Sequence, residues 1–150
     1  MEEHDYKKYP ELPNSKLESL ELTSPHKQIK EDFEAEVVRV HDGDTITLRT
    51  NFRDFDFPLR LAEIDAPEMN AGGEVARDWL RGQILGEKVQ IKINPKNRVE
   101  KYGRLLGNVI SRGMDMGEAA IRLGLVNTFE LRREGQIPSA EKELSQDKWF

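Results

Sequence analysis

The chain has no cysteine, which removes disulfides, thiolate metal sites and cysteine nucleophiles whatever the compartment. Its chemistry must come from oxygen and imidazole groups. The three histidines, His4, His26 and His41, lack the spacing of a metal-binding set and read as surface residues. No apolar run approaches a membrane span, and the opening "MEEHDYKKYPEL" lacks the basic-then-apolar design of a secretory signal. The chain as given is expected to be soluble, with no membrane partner. A cytoplasmic location is favoured, although secretion of a longer precursor would leave no trace here. An excess of positive charge is also missing: the net charge is −5, which on its face disfavours nucleic acid, whose phosphates call for a basic surface. The deficit is uneven, −3 within residues 1–32 and −2 over the remaining 118. A divalent cation held by carboxylates of the body would bring that body to neutrality or beyond, so the global sign decides little.

What is present divides the same way. A chain of 150 residues with 37% hydrophobic content supports one compact domain with a modest core. Residues 1–32 are polar, carry three prolines and show no sustained period apart from Leu17, Leu20 and Leu22, so they are expected to form a disordered arm ahead of a folded domain at 33–150. From Phe33 the runs "FEAEVVRV", "DTITLRT" and "FDFPLRLAEI" read as three strands of a meander. "GGEVARDWLRGQILG" sets Val75, Ala76, Trp79, Leu80 and Ile84 on one helical face. "EKVQIKINP" and "RLLGNVIS" supply two more strands, and "DMGEAAIRLG" opens on an Asp-x-x-Glu cap and stops at Gly124. A last short helix is expected within 139–148. Five short strands with one helix before the fourth fit a mainly β, α+β architecture. The expected fold is a five-stranded Greek-key barrel of the oligonucleotide-binding type (OB-fold), with two to three packed helices.

Charges placed on that scaffold raise a question. A hairpin closing around 51–56 would set Leu48 opposite Leu61 and Asp44 opposite Asp65. Two like charges facing across a ladder demand a proton or a cation. Glu68, three residues beyond Asp65, offers a third carboxylate, and the Ala66 carbonyl a further oxygen. Such hard donors in loose geometry suit calcium. Alone, Asp42-Gly43 is a common turn, Asp65-Ala66-Pro67-Glu68 a strand exit, Arg60 an ion-pair partner on a barrel wall, and Tyr102-Gly103-Arg104 a turn into the fifth strand.

Their conjunction carries more. Asp42-Gly43-Asp44-Thr45, Leu59-Arg60-Leu61 running into Ile64-Asp65-Ala66-Pro67-Glu68, Lys101-Tyr102-Gly103-Arg104, and Glu118-Ala119 with Leu123-Gly124-Leu125 stand in an order and spacing that closely resembles the thermonuclease (staphylococcal nuclease-like) family. The resemblance spans about 33–126 and continues toward Trp149. It implies the nuclease version of the barrel and calcium-dependent hydrolysis of DNA and RNA, with single-stranded regions preferred and 3′-phosphate ends left. It also implies roles: Asp44 and Asp65 as side-chain calcium ligands with Ala66 through its carbonyl, Glu68 as the acid that orients or deprotonates the attacking water, and Arg60 and Arg104 on the scissile phosphate. Tyr102, with Lys101 beside it, would contact substrate, and the enzyme would act as a monomer. The chain departs from the family pattern in three places. Ala66 stands where the family commonly has threonine, the loop after Glu68 is cut to "MNAGG", and the base-stacking tyrosines are replaced by Glu130 and Arg132, with Phe129 the nearby aromatic. The alternative reading is a non-catalytic nucleic-acid-binding module on the same barrel. The metal-ready carboxylates flanked by two arginines argue for the enzyme, because a binding module has no physical need of them.

Overall fold

The structure, a computed structural model, describes residues 10–12, 27–100 and 103–128. The elements are β1 (Phe33–Asp42), β2 (Thr45–Arg49), β3 (Phe57–Leu61), β4 (Ile64–Asp65), a single 3-10 turn (Met69–Ala71), α1 (Gly73–Ile84), β5 (Lys88–Lys92), β6 (Leu105–Ser111), β7 (Met114–Asp115), α2 (Met116–Arg122) and β8 (Asn127–Thr128). The helix expected within 139–148, like Lys101, Tyr102, Phe129, Glu130 and Arg132, lies outside the described residues.

The five longer strands are those the alternation marks out. β6 alternates buried and half-buried residues along its whole length, Leu105, Gly107, Val109 and Ser111 facing in. In β1 the pattern is interrupted: its pairing with β2 shifts between Val37 and Arg39 and again between Val40 and Asp42. These bulges bend the strand and let Val37 and Val40, three apart, both face the core. β1, β2 and β3 form the antiparallel meander, β5 pairs with the other edge of β1, β6 with β5, and β3 meets β6 in parallel. That last pairing, Leu59 to Leu105, Arg60 to Leu106 and Leu61 to Gly107, closes a five-stranded mixed barrel around Val37, Ile46, Leu48, Leu59, Ile91 and Val109, each fully buried.

The β2–β3 register differs from expectation. Leu48 faces Phe57 rather than Leu61, and Thr45 faces Arg60. The third strand-like run is also broken: Ala62 and Glu63 form a turn between β3 and β4, with Glu63 at a φ of 67°. A left-handed glutamate gives no sequence signal, because the conformation is ordinarily that of glycine or asparagine.

Two helices cover the barrel. α1 lays Ala76, Leu80 and Ile84, spaced i, i+4, i+8, against it. Val75, expected on that face, is exposed. The helix turns about 100° per residue, so Val75 falls beside the narrow stripe rather than on it. α2 starts as its cap pattern foretells: the Asp115 carboxylate accepts the Glu118 N–H at 3.0 Å. It closes with Gly124 at a φ of 74°. No helix among the described residues is long and apolar enough to cross a membrane.

Candidate active site

The β1–β2 turn carries Asp42, Gly43 and Asp44. Gly43 is not there for left-handed backbone, since its φ is not positive. It is there for space. A methyl group on it would lie 2.7 Å from Ala76 Cβ in α1 and 3.2 Å from Ala66 Cβ. The glycine therefore lets the turn, the helix and the exit of β4 touch. Asp44 is thereby held inside: its backbone N–H donates to Asp42 Oδ1 at 3.0 Å, its Oδ1 accepts the Thr45 hydroxyl at 2.9 Å, and its Oδ2 accepts the Ala66 N–H at 2.8 Å.

Arg60 is buried at the end of β3. Its Nη1 donates to the carbonyls of Leu61 and Ile64 at 2.7 and 2.8 Å, so the β3–β4 turn is wrapped around the guanidinium. Its Nη2 then lies 3.4 Å from Asp44 Oδ2 and 3.2 Å from Asp65 Oδ1. One nitrogen thus stands between the two carboxylates that the sequence placed side by side. They converge through the turn and not through facing positions in a hairpin, since β4 pairs with β8, Asp65 to Asn127.

Arg104 enters from the start of β6. Its Nε donates to the Glu100 carboxylate, and its Nη1 stands 3.5 Å from Thr45 Oγ1, the hydroxyl already bound to Asp44. Arg60 and Arg104 therefore approach the same Asp44–Thr45 pair from two strands. Glu68 is exposed, at the head of the 3-10 turn. Its carbonyl accepts the N–H groups of Ala71 and Gly73, both at 2.9 Å. Gly73 is packed so closely beneath it that a methyl group there would stand 2.5 Å from the Pro67 carbonyl oxygen. Sequence reasoning gave no role to Thr45 or Glu100, although Glu100 stands four residues before Arg104. His41, read as a surface residue, is exposed, but it shares a 2.7 Å hydrogen bond with Thr47 Oγ1. Burial, then Arg39 and Arg104, depress its pKa and favour the neutral ring.

The electrostatics of Asp44 bear on a metal. Burial, chiefly, pushes its carboxyl up to about 6; a hydrogen bond shared with the Asp42 side chain adds to this, and Arg60 and the Ala66 N–H oppose it. Even with a guanidinium beside it, the ionised form is undercompensated, so the pocket accepts more positive charge. The donors fit a hard divalent ion: two carboxylates that meet a single nitrogen of Arg60, with backbone oxygens nearby. The expected third carboxylate does not join them. Among the described residues no three acidic or histidine side chains converge as a metal set, and exposed Glu68 remains outside. An ion here would complete its shell with carbonyl and solvent oxygens.

Comparison with known proteins identifies the family. The family model described as staphylococcal nuclease homologue matches residues 58–148. A protein named "Uncharacterized endonuclease" from Escherichia coli O157:H7 is 31% identical over 120 residues, 78% of this chain and 75% of its own. The micrococcal nuclease of Shigella flexneri is 43% identical over 79 residues, 52% of this chain and 42% of its own. An endonuclease of Bacillus subtilis is 30% identical over 112 residues, 65% of this chain but 9% of its own. With the barrel, the paired aspartates and the two arginines in place, the chain belongs to the staphylococcal nuclease family and is a nuclease of that family, a phosphodiester hydrolase.

Proposed function

We propose that the chain hydrolyses DNA and RNA in a calcium-dependent reaction, prefers single-stranded regions and leaves 3′-phosphate ends. The observation that carries this reading is the single guanidinium nitrogen of Arg60 at 3.4 Å from Asp44 and 3.2 Å from Asp65, with Arg104 reaching Thr45 on the other side. Family members typically use Ca2+. Asp44 and Asp65, with the Ala66 carbonyl, would hold the ion, which would supply Lewis acidity to the phosphate.

The chain's own groups do the rest. In-line attack gathers negative charge on the non-bridging oxygens, and planar guanidinium donors set in advance oppose that charge. Arg60 is suited to this because its Nη1 is locked on two carbonyls, so its outer edge cannot swing away. Arg104 keeps an outer edge free of its Glu100 partner. Glu68, exposed at the rim, orients the water and accepts its proton as the new P–O bond forms, and the P–O bond to the 5′-oxygen breaks with that oxygen taking a proton from solvent to leave as the 5′-hydroxyl. Lys101 and Tyr102 lie next to Arg104 in sequence and would contact the substrate backbone.

The test is digestion of single-stranded DNA with calcium, with magnesium and with a chelator, run beside Glu68→Gln and with end-group analysis of the products. Cutting that requires calcium, a Glu68→Gln rate at least about a hundredfold lower, and 3′-phosphate termini are expected. Equal cutting in all three conditions contradicts the metal assignment.

A further inference from the structure

A second cluster of charges, at the base of the stem in which residues 98–100 pair with 104–106, is more deeply buried than the site itself. Glu11, from the N-terminal segment, is 0% exposed and Arg98 is 2% exposed. Each nitrogen of the Arg98 guanidinium meets a different acceptor from that segment: Nε the Ile29 carbonyl at 2.7 Å, Nη1 the Leu12 carbonyl at 2.7 Å, and Nη2 Glu11 Oε1 at 2.6 Å. The second Glu11 oxygen takes Arg53 Nη2 at 2.6 Å, and Arg53 lies over the Phe57 ring. Gln28 folds the two pieces together, accepting the Leu12 N–H at 2.5 Å and donating to the Pro10 carbonyl at 2.9 Å.

The backbone of Arg98 belongs to the element that presents Arg104. Leu106 N–H donates to the Arg98 carbonyl at 2.8 Å, Val99 bridges Leu105, and Glu100 N–H donates to the Arg104 carbonyl at 2.9 Å. This stem is three pairs long. A two-stranded ribbon of that length has little stability of its own. One of its roots is β6, whose Leu106 pairs with Arg60; the other is Arg98, gripped by residues 11, 12 and 29.

We infer that Glu11 and Arg98 are positioning residues for Arg104: the N-terminal segment clamps the base of the stem, and the clamp sets where the Arg104 guanidinium stands at the phosphate. The inference rests on the role proposed above for Arg104. Displacements of about 1 Å in a reacting group cost up to about a hundredfold in rate, so loosening the clamp lowers kcat while substrate binding by the rest of the site persists.

The experiment uses the full chain. Glu11→Gln keeps shape and removes charge, and Gln28→Ala loosens the contact between residues 10–12 and 28 without touching a charge should the first variant fail to fold. Each is made alone and on Arg104→Lys, and kcat, KM and melting temperature are measured with single-stranded DNA. The expected result is a loss of kcat of about tenfold in the parent, a KM within about twofold, and less than about a twofold further loss on Arg104→Lys, with the same drop in melting temperature in both backgrounds. An equal loss of kcat in both backgrounds, or full kcat in folded variants, overturns the inference. Arg104→Lys at the parental rate would instead overturn the role of Arg104 itself, and this inference with it.

Discussion

At the scale of single residues, the two arginines do not answer to the same experiment. Arg60 is bound to two carbonyls and faces two carboxylates inside the fold. Its replacement by alanine leaves buried acceptors and unpaired charge, at a cost of roughly 3 to 5 kcal/mol of stability on top of any rate effect. Arg104 is half-buried, with Glu100 as its acidic partner. Arg104→Ala should lose at least about a hundredfold in kcat while its denaturant midpoint stays near the parent's; near-normal turnover would remove its role at the phosphate. Asp44 gives a pH signature. Its carboxyl titrates near 6 in the folded protein and at 3.8 as an isolated group. Between those values the folded chain holds a proton that the unfolded chain has released, so metal-free protein gains stability from this group as pH falls from 7 toward 4. Melting curves in chelator should show that gain in the parent and not in Asp44→Asn. Calcium, which favours the ionised carboxylate, should raise the melting temperature more at pH 7 than at pH 5. Equal calcium shifts at both would separate the ion from Asp44.

At the scale of elements, the site depends on three segments touching where Gly43 has no side chain. Gly43→Ala should cost about 1 to 3 kcal/mol through overpacking, and Ala76→Gly, which removes the methyl it strikes at 2.7 Å, should return part of the loss. A double-mutant cycle in urea reads that coupling, and strict additivity would show that the turn and α1 do not compete for this space. The strands themselves were legible because apolar alternation survives in five separate runs, and α2 because its cap and its glycine stop are both written in the chain. The β2–β3 register was not. Phe55 extends the apolar look of β3 backward, and the left-handed turn at Glu63 hides where the strand ends. Asp44 and Asp65 were rightly expected to be neighbours for the wrong geometric reason: a turn wrapped around Arg60 delivers what a ladder was supposed to. The glycine in "HDGD" was legible as a turn, whereas its need for space depends on a helix 33 residues further on.

At the scale of the whole molecule, the chain is acidic, −5 overall, and the contacts proposed for its anionic substrate are a few guanidinium groups. With about two to three phosphate contacts, the logarithm of 1/KM should fall with the logarithm of salt concentration at a slope of about −2 for single strands. A much steeper slope would reveal a basic track elsewhere. The Glu11–Arg98 contact spans 87 residues and could not be read in advance, since a lone glutamate in a polar stretch looks the same whether it is solvated or buried. The closing pair of the barrel has a different consequence. Among the described residues β6 is the last long strand in chain order, it closes the barrel against β3, and Arg104 stands one residue before it. A chain still being synthesised therefore lacks both the closed barrel and Arg104 until the same short segment emerges, so enclosure of the core and arrival of the second proposed phosphate-binding arginine are one event in chain order.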